Sequence, residues 1–293
     1  MTARPDILCI GAMLWDVIGR SRARMGLGSD VPGLIQHIPG GVALNVAVAL
    51  ARWGMRPAVL SSVGADPQGD ALVAQANGLG VLTDWLTRDP LLPTDCYLAI
   101  EDSNGLIAAI ADAHSLEKSG DAILSPLSGD LSSWSGPVVV DGNLTRDLLA
   151  RIPGDPRLAN ADIRVVPASP GKAERLLPLI TAHRGCFYLN LAEASILAGS
   201  HCPDAATAAE AVVAHGAARV IVTDGPNPAA DAIADGETLH HTPPAVTVAR
   251  VTGAGDCFLA AHLAAELKHR PRAEALRQAV EASAAHVSGK DIP

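Results

Sequence analysis

The chain has 293 residues, of which 48% are hydrophobic and only 3% aromatic, and its 22 Lys and Arg against 31 Asp and Glu leave a net charge of −9. A sizeable apolar core is expected, so disorder or a coiled coil over the whole chain is excluded. Nucleic acid and anionic membranes are excluded as partners, because phosphate backbones require clustered Lys and Arg, and RNA-binding sheets require aromatic side chains.

Cysteine, histidine and hydropathy patterns exclude further classes. The five cysteines lack CxxC spacing and the ten histidines form no HExxH pattern, so neither a disulfide scaffold nor a structural metal site is predicted. No apolar run approaches the roughly 18–20 residues of a membrane span. The N-terminus, with Arg4 followed closely by Asp6, is unlike a signal peptide. We therefore expect a cytoplasmic protein.

Short apolar runs alternate with longer amphipathic stretches along most of the chain. The runs expected to form strands buried on both faces are 7–11, 58–62, 138–141, 163–167, 186–189 and 220–223. The stretches with helical periodicity are 44–53, 66–79, 145–152, 171–183, 192–199 and 205–215. This alternation predicts an α/β fold with a parallel sheet, helices on both faces, and a ligand site beyond the carboxyl ends of the strands.

Two segments interrupt the alternation. Residues 96–101 and 106–111 are extended runs joined by Asp102-Ser103-Asn104-Gly105, and Asn-Gly between apolar runs is a strong hairpin signal. A second stretch, about 12–40, is rich in Gly, Arg and Pro and is suited to further extended strands. The pattern predicts a small antiparallel appendage on one domain spanning 1–293, and leaves open whether it is a lid or an ordinary edge hairpin.

The sharpest motif is Thr252-Gly253-Ala254-Gly255-Asp256, which lies between a β-favouring run, 246–248, and a predicted helix over about 257–269. Small residues let several N–H groups converge at a helix N-terminus, which forms an anion site without lysine. Asp256 could there accept the proton of a hydroxyl that attacks a bound phosphate. The alternative is a structural turn capped by Asp256. Walker A and dinucleotide-binding patterns are incomplete at Gly171-Lys172-Ala173 and Gly26-Leu27-Gly28.

Four motifs, in order, resemble those of the ribokinase-like (PfkB) carbohydrate and nucleoside kinases over essentially the whole chain. They are Gly11-Ala12-Met13-Leu14-Trp15-Asp16, Pro39-Gly40-Gly41-Val42-Ala43-Leu44-Asn45, Asn190-Leu191-Ala192-Glu193 and Thr252-Gly253-Ala254-Gly255-Asp256. The resemblance implies a three-layer ribokinase-like fold with a central, mostly parallel sheet and a β lid formed from about 12–40 and 95–113. Since lids in this family often pair between subunits, it also implies a homodimer.

The resemblance also implies roles for individual residues. Those expected to hold the sugar are Asp16, Gly40, Gly41 and Asn45. Asp256 is expected to be the base, beside an anion hole formed by Gly253, Ala254 and Gly255. The implied cofactors are ATP and Mg²⁺, with the metal held through water by Asn190 and Glu193. Contacts to ATP are expected from Asn190, Thr223, Gly225, Gly253 and Gly255.

Most of these residues also have a purely structural explanation. Asp16 suits a turn or helix cap, the glycines suit a plain turn, and Asn190 with Glu193 suits the cap of their own helix. Asn45 differs, because asparagine one turn into a helix is a poor helix former, which favours a role toward a ligand.

Within the family, several segments are most similar to those of pseudouridine kinases, among them Val140-Asp141-Gly142-Asn143-Leu144. This implies transfer of phosphate from ATP to the 5′-hydroxyl of pseudouridine, with Asn143 at the ribose or base and with Asp112 and Lys172 at the uracil edge. Two alternatives stay open: another sugar or nucleoside kinase, acting on ribose, adenosine or a phosphorylated hexose, and a non-catalytic nucleoside sensor. With so few aromatic residues, Trp15 and Tyr97 are the rings expected nearest a base.

Two positions depart from the family pattern. Many members carry an Asp where this chain has Arg250, and in members with a monovalent cation beside the anion hole that Asp is a ligand. Our hypothesis is that the Arg250 guanidinium takes the electrostatic place of the cation, or else points to solvent. After Gly225 the next expected glycine is missing from Pro226-Asn227-Pro228-Ala229, so an altered ATP loop is predicted.

Overall fold

The structure, a computed structural model, describes residues 4–290. In chain order the strands are β1 (Ile7–Ile10), β2 (Leu14–Arg20), β3 (Leu34–Gly40), β4 (Pro57–Leu60), β5 (Cys96–Asp102), β6 (Gly105–Asp112), β7 (Pro137–Asp141), β8 (Asp162–Val166), β9 (Cys186–Asn190), β10 (Arg219–Asp224), β11 (Asn227–Ile233) and β12 (Leu239–His241).

The α-helices are α1 (Val42–Arg52), α2 (Pro67–Gly78), α3 (His114–Ser119), α4 (Arg146–Arg151), α5 (Leu177–Thr181), α6 (Leu191–Leu197), α7 (Ala205–Ala214), α8 (Ala254–Leu267) and α9 (Arg272–Val287). Short 3-10 helices occur at Gly120–Ser128, Ile152–Gly154, Pro156–Leu158 and Pro170–Leu176.

An eight-stranded sheet forms the centre of the molecule, in the spatial order β12-β11-β10-β9-β8-β7-β1-β4. The strands from β10 through β4 run parallel, while β11 and β12 are antiparallel additions at one edge. The mostly parallel sheet that the sequence predicts is therefore confirmed. All six parallel strands end at the same edge, which brings the loops that follow them together.

The core has one apolar cluster on each face of this sheet, which explains why the strands are continuous apolar runs. In β1, Leu8 and Ile10 belong to the cluster with α4–α7, whereas Ile7 and Cys9 belong to the cluster with α1, α2, α8 and α9. All four side chains are fully buried. Within residues 4–290, no helix has the length and apolarity that a membrane crossing requires.

A second sheet contains four strands in the order β3-β2-β5-β6. The β5–β6 hairpin turns at Ser103 and Asn104, as the Asn-Gly signal predicts, and β2 pairs with β3 antiparallel and with β5 parallel. This sheet comprises the two stretches that interrupt the strand–helix alternation. We name it the small sheet.

Two segments differ from what the sequence pattern favours. Residues 246–248, a β-favouring run, lie in an irregular segment between β12 and α8. The stretch 171–183, expected as one helix, is a 3-10 helix followed by the short α5, since Pro178 interrupts the hydrogen-bond ladder that a continuous helix needs.

Candidate active site

A cavity of about 660 Å³ lies at the carboxyl edge of the large sheet. Its walls come from the small sheet, from α1 and from the glycine-rich turn that precedes α8. Asp16, Asn45, Gly253 and Asp256, from three of the four motifs, line it together. Two carboxylates, an amide and a helix N-terminus thus face one space.

Two glycines allow this close assembly. A Cβ at Gly40 would lie 2.2 Å from Asp16 Oδ2, and a Cβ at Gly41 would lie 2.4 Å from the carbonyl oxygen of Ala12. Gly41 also has a φ of +91° and precedes α1 without a side-chain cap. Only glycine fits both the space and the dihedral angle, so these residues bring Asp16 and the end of β1 against α1.

Asp16 lies on β2 opposite Ile38 of β3 and Tyr97 of β5, on the face of the small sheet that borders the cavity. Burial raises the pKa of its carboxyl to about 6. Trp15, one of the two rings expected near a base, does not line the cavity, because adjacent strand residues face opposite sides. The indole of Trp15 is buried and donates its N–H to the carbonyl of Gln68 at 2.9 Å.

The glycine-rich turn leads directly into α8, a 14-residue helix. Gly253, with a φ of +81°, precedes the helix, and Asp256 lies in its first turn rather than at the cap position. The amide of Ala254 donates to Val251 O at 3.1 Å. The amides of Gly255 and Asp256 remain unbonded within the described chain, and with the positive end of the helix dipole they suit an anion.

The C-terminal end of α9 supports this turn from behind. His286 Nε2 lies 2.8 Å from Thr252 O, which requires the proton on that nitrogen, and Ser283 Oγ donates to Ala254 O at 3.1 Å. Arg250 Nε donates to His286 O at 3.1 Å, so the guanidinium contacts the end of α9 rather than only solvent.

Asp256 is the carboxyl whose environment best suits proton transfer. Burial, followed by the charge of Asp141, raises its pKa to about 7, and the side chain of Asn45 opposes the shift. A carboxyl that titrates near neutral pH can both accept a proton and release it.

Asp141, which the sequence analysis did not single out as a site residue, is the last residue of β7 and is fully buried. Its Oδ2 accepts the amides of Ala12 at 2.7 Å and Ala43 at 3.1 Å. Its Oδ1 accepts the amide of Asn143. The only signal in the sequence is an acidic residue at the end of an apolar run, which is weak because exposed strand ends look the same.

Asn143 and Lys172 form a contacting pair at the same edge of the sheet, with Lys172 Nζ donating to Asn143 Oδ1 at 2.7 Å. Burial, followed by nearby Arg175, lowers the pKa of Lys172. Asp112 is not part of this pair: it lies at the end of β6, and its carboxylate is 2.6 Å from His114 Nδ1. None of the three lines the 660 Å³ cavity.

The residues expected on the nucleotide side form a separate group along the edge. Thr223 of β10 pairs in register with Asn190 of β9. Asn190 and Glu193 form a capping box on α6, with Asn190 Oδ1 accepting the Glu193 amide and Glu193 Oε2 accepting the Asn190 amide, each at 2.9 Å. Gly225, with a φ of +53°, is exposed in the turn between β10 and β11.

A metal cage is not present in the described residues, where no group of three or more His, Cys, Asp and Glu side chains is positioned for one. The capping box engages only one oxygen of Glu193. The other oxygen of Glu193, Oε1, can accept a hydrogen bond from a metal-bound water. Indirect contact through water suits Mg²⁺, which usually keeps several of its water ligands. The residues therefore fit an outer contact to the ion.

Together, a cavity at the carboxyl edge, a helix N-terminus for an anion and a carboxyl poised near neutral pH define a phosphotransferase with an alcohol acceptor. The family model described as "pfkB family carbohydrate kinase" matches residues 4–291, and this chain belongs to that family.

Relatives and solved structures agree with this assignment. Pseudouridine kinase of Escherichia coli (strain K12) is 30% identical over 285 residues, covering 94% of this chain and 88% of that protein. A carbohydrate kinase from Agrobacterium tumefaciens is 26% identical with a TM-score of 0.80, covering 96% and 90% of the two chains. The structure of Arabidopsis thaliana ribokinase complexed with ribose and ATP has a TM-score of 0.81 at 20% identity, covering 97% and 93%. The ribokinase-like fold predicted from the sequence is confirmed.

Proposed function

We propose that this protein transfers the γ-phosphoryl group of ATP to the 5′-hydroxyl of a ribosyl substrate, and that the substrate is pseudouridine. The observation that carries the reaction is the meeting of Asp16, Asn45 and Asp256 at one cavity beside a helix N-terminus. The 30% identity to a pseudouridine kinase over 94% of the chain supports the choice of acceptor.

The acceptor is held by the carboxylate of Asp16, which can accept hydrogen bonds from two vicinal ribose hydroxyls, and by Gly41 and Asn45. The primary hydroxyl then attacks the γ-phosphorus. A new O5′–P bond forms, the bond to the β-phosphate oxygen breaks, and the hydroxyl proton passes to the Asp256 carboxylate. The free amides of Gly255 and Asp256 stabilise the charge on the transferring group. For Ala254 to contribute its amide, its bond to Val251 O must open.

The donor side consists of Asn190, Thr223 and Gly225, which we propose contact ATP. Bound Mg²⁺ would neutralise charge on the triphosphate. Glu193, whose Oε1 stays outside the capping box, and Asn190 would orient the water molecules on that ion.

The Asn143–Lys172 pair supports a base that carries carbonyl groups. An ammonium group has no acceptor, so its contact with Asn143 fixes Oδ1 toward Lys172 and leaves the Asn143 amide N–H groups for a ligand. The pair therefore presents N–H donors. Uracil can offer both of its carbonyl oxygens to them, whereas the amino group of adenine is itself a donor and cannot pair with them.

Two rings can support the base: Trp53, which lines the cavity, and Tyr97, which shares the cavity-facing side of the small sheet with Asp16. Asp112 is in register with Cys96 and Trp15, on the face of the small sheet opposite to Asp16, and its carboxylate is paired with His114. A contact from Asp112 to the base would therefore need a rearrangement at the end of β6. We propose that this sheet acts as a lid whose closure excludes water and suppresses ATP hydrolysis.

The outer face of the small sheet supports a homodimer. Its exposed apolar side chains are Ile35 (72%), Ile100 (41%) and Ile110 (66%), together with Leu98. An uncharged patch of this kind is self-complementary, as a two-fold interface requires. We expect a dimer by light scattering that Ile35→Glu and Ile110→Glu convert to monomers; a monomeric wild type would contradict this proposal.

The experiment that tests the function is ADP release with a panel of acceptors: pseudouridine, uridine, adenosine, ribose and fructose 6-phosphate. We expect the highest kcat/KM with pseudouridine. A preference for ribose, adenosine or the hexose phosphate would identify another kinase of this family.

Lys172→Met sharpens the same experiment. It should lower kcat/KM for pseudouridine and leave ribose turnover, which involves no base, unaffected. Equal loss with both acceptors would remove Lys172 from base recognition. Binding of pseudouridine without ADP release would instead support a non-catalytic nucleoside sensor. The altered segment after Gly225 is the feature that favours this alternative.

A further inference from the structure

Asp141 connects parts of the site that are far apart in the sequence. Its carboxylate accepts amide hydrogen bonds from Ala12, at the end of β1, and from Ala43, in the first turn of α1. A third comes from Asn143, the partner of Lys172. One buried side chain thus joins the chain that leads into Asp16, the helix that carries Asn45 and the proposed base-reading pair.

The surrounding backbone is shaped around this carboxylate. Gly11 has a φ of +153°, and a Cβ there would lie 2.3 Å from Asp141 Oδ2. Gly41 precedes α1 and has no side chain to cap it, so the Asp141 carboxylate serves the first turn of that helix from a distant strand. An acceptor at a helix N-terminus also interacts favourably with the dipole.

Asp141 forms no ion pair within the described chain. Burial raises the pKa of Asp141, while its three amide hydrogen bonds and the charge of Lys172 oppose that shift. Asp141 in turn acts on Asp256 and Cys9. Asp16, Arg52 and His286 line the cavity with Asp256. Arg52 and Arg250 act on Cys257 and His286.

We propose that Asp141 is a positioning residue of this active site: its three amide hydrogen bonds hold the Asp16 and Asn45 segments in register with the Asn143–Lys172 pair. This inference rests on the proposed function, in which Asp256 receives the hydroxyl proton. An electrostatic part accompanies it, because the charge of Asp141 acts on Asp256 and a second negative charge favours the protonated form of a carboxyl.

The test is Asp141→Asn, which keeps the shape but removes the charge and turns one acceptor into a donor. We expect kcat/KM for the acceptor to fall about 10²-fold from misplacement. The acidic limb of its pH profile should also move to lower pH, by on the order of one pKa unit. A purely structural role would lower activity and leave the position of the limb unchanged, which would overturn the electrostatic part. Unchanged activity would overturn the positioning part.

Asp95→Asn is the matched control. Asp95 is also buried, and it also accepts two backbone amides, from Ser115 and Leu116, but it lies at the base of the small sheet and not among the residues that act on Asp256. We expect it to lower thermal stability and to leave the pH limb in place. A shift equal to that of Asp141→Asn would overturn the inference.

A direct measurement separates this inference from the choice of substrate. Titration of the Asp256 carboxyl by ¹³C NMR, assigned with Asp256→Asn, needs no acceptor and should show the downward shift in Asp141→Asn even if pseudouridine is not the substrate. If Asp141→Asn does not fold, Asp141→Ser keeps one uncharged acceptor and should shift the titration in the same direction. An unchanged titration in a folded variant would refute the electrostatic part.

Discussion

The two proposed ends of the site, one for the acceptor and one for ATP, differ in how tightly the chain encloses them. At the acceptor end, an added Cβ at Gly11, Gly40 or Gly41 would lie within 2.4 Å of another atom. At the ATP end, a Cβ at Gly225 or Gly255 would meet nothing within 4 Å, and a Cβ at Gly253 would lie 3.3 Å from His286 Nε2. The acceptor end is therefore specified by packed backbone, whereas the ATP end is an open edge that tolerates change.

This difference explains how the segment after Gly225 can depart from the family pattern. The turn is exposed, and Asn227 stabilises it by donating to the Asp224 carboxylate at 3.0 Å. A loop of this kind can be rebuilt without disturbing the core, because its side chains contact few neighbours. Comparable changes near Gly40 would displace Asp16.

The largest effect is expected from Asp256→Asn at the junction of the two ends. Removing the proton acceptor should lower kcat by about 10²–10⁴-fold and change the KM of the acceptor little, since Asp16 and Asn45 remain. Steady-state ADP release measures both constants. Near-full turnover in this variant would show that Asp256 is not the base.

Next in size is the contrast between Gly40→Ala and Gly225→Asn. The first places a Cβ against Asp16 and should lower kcat/KM for the acceptor by about 10²-fold. The second changes a left-handed residue at the open end, and asparagine tolerates that conformation, so only a small rise in the KM of ATP is expected. Equal losses in the two variants would contradict the difference between the ends.

The pH profile gives a smaller, graded effect. The pKa of Asp256 is raised to about 7 and that of Asp16 to about 6. Since both must be ionised, kcat/KM should change about tenfold per pH unit between these two values and about a hundredfold per unit below them. Stability should move the other way. Both carboxyls have pKa values above the unfolded value of about 3.9, so the folded state binds more protons there and loses stability as pH rises toward 7.

Thermal unfolding of Asp256→Asn serves as the control for that profile. The variant should be more stable than the wild type at pH 8, where the wild type carries a buried negative charge, and the difference should shrink at pH 5. A lower melting temperature at pH 8 would show that the contacts of the ionised Asp256 stabilise the protein by more than the burial of its charge destabilises it.

The smallest effect concerns monovalent cations. The Arg250 guanidinium donates to the carbonyl of His286 beside the glycine-rich turn, so activity should change less than about twofold between buffers with K⁺ and with tetramethylammonium. Strong activation by K⁺ would remove Arg250 as a substitute for the cation.

The sequence predicts the architecture well where one physical signal dominates. Parallel strands buried on both faces leave uninterrupted apolar runs, and the Asn-Gly dipeptide marks the hairpin of the small sheet, so both are found in the structure. The prediction fails where neighbours decide the outcome. Residues 246–248 favour a strand but pair with no strand of the two described sheets, and Trp15 faces away from the cavity because Asp16 takes the other side of the strand.

The site is predictable in part for the same reason. Glycine-rich turns and the strand-end Asp16 have local signals, but the partners of Asp141 are 129 and 98 residues away in the chain. No periodicity reports such a contact. The contact between Asp112 and His114, only two residues apart, is equally unpredictable from the sequence, because it depends on the rotamers of the two side chains.

The long sequence separations around Asp141 also have a kinetic consequence. The end of β1 and the end of β7 can form a hydrogen bond only after these two strands have paired. They are neighbours in the large sheet but lie 129 residues apart in the chain at this contact, so the acceptor pocket belongs to the non-local part of folding. The amides of Ala12 and Ala43 should then exchange with solvent deuterium only through near-global opening, while amides of the Gly225 turn exchange through local fluctuations. The pocket is thus a reporter of the integrity of the whole domain.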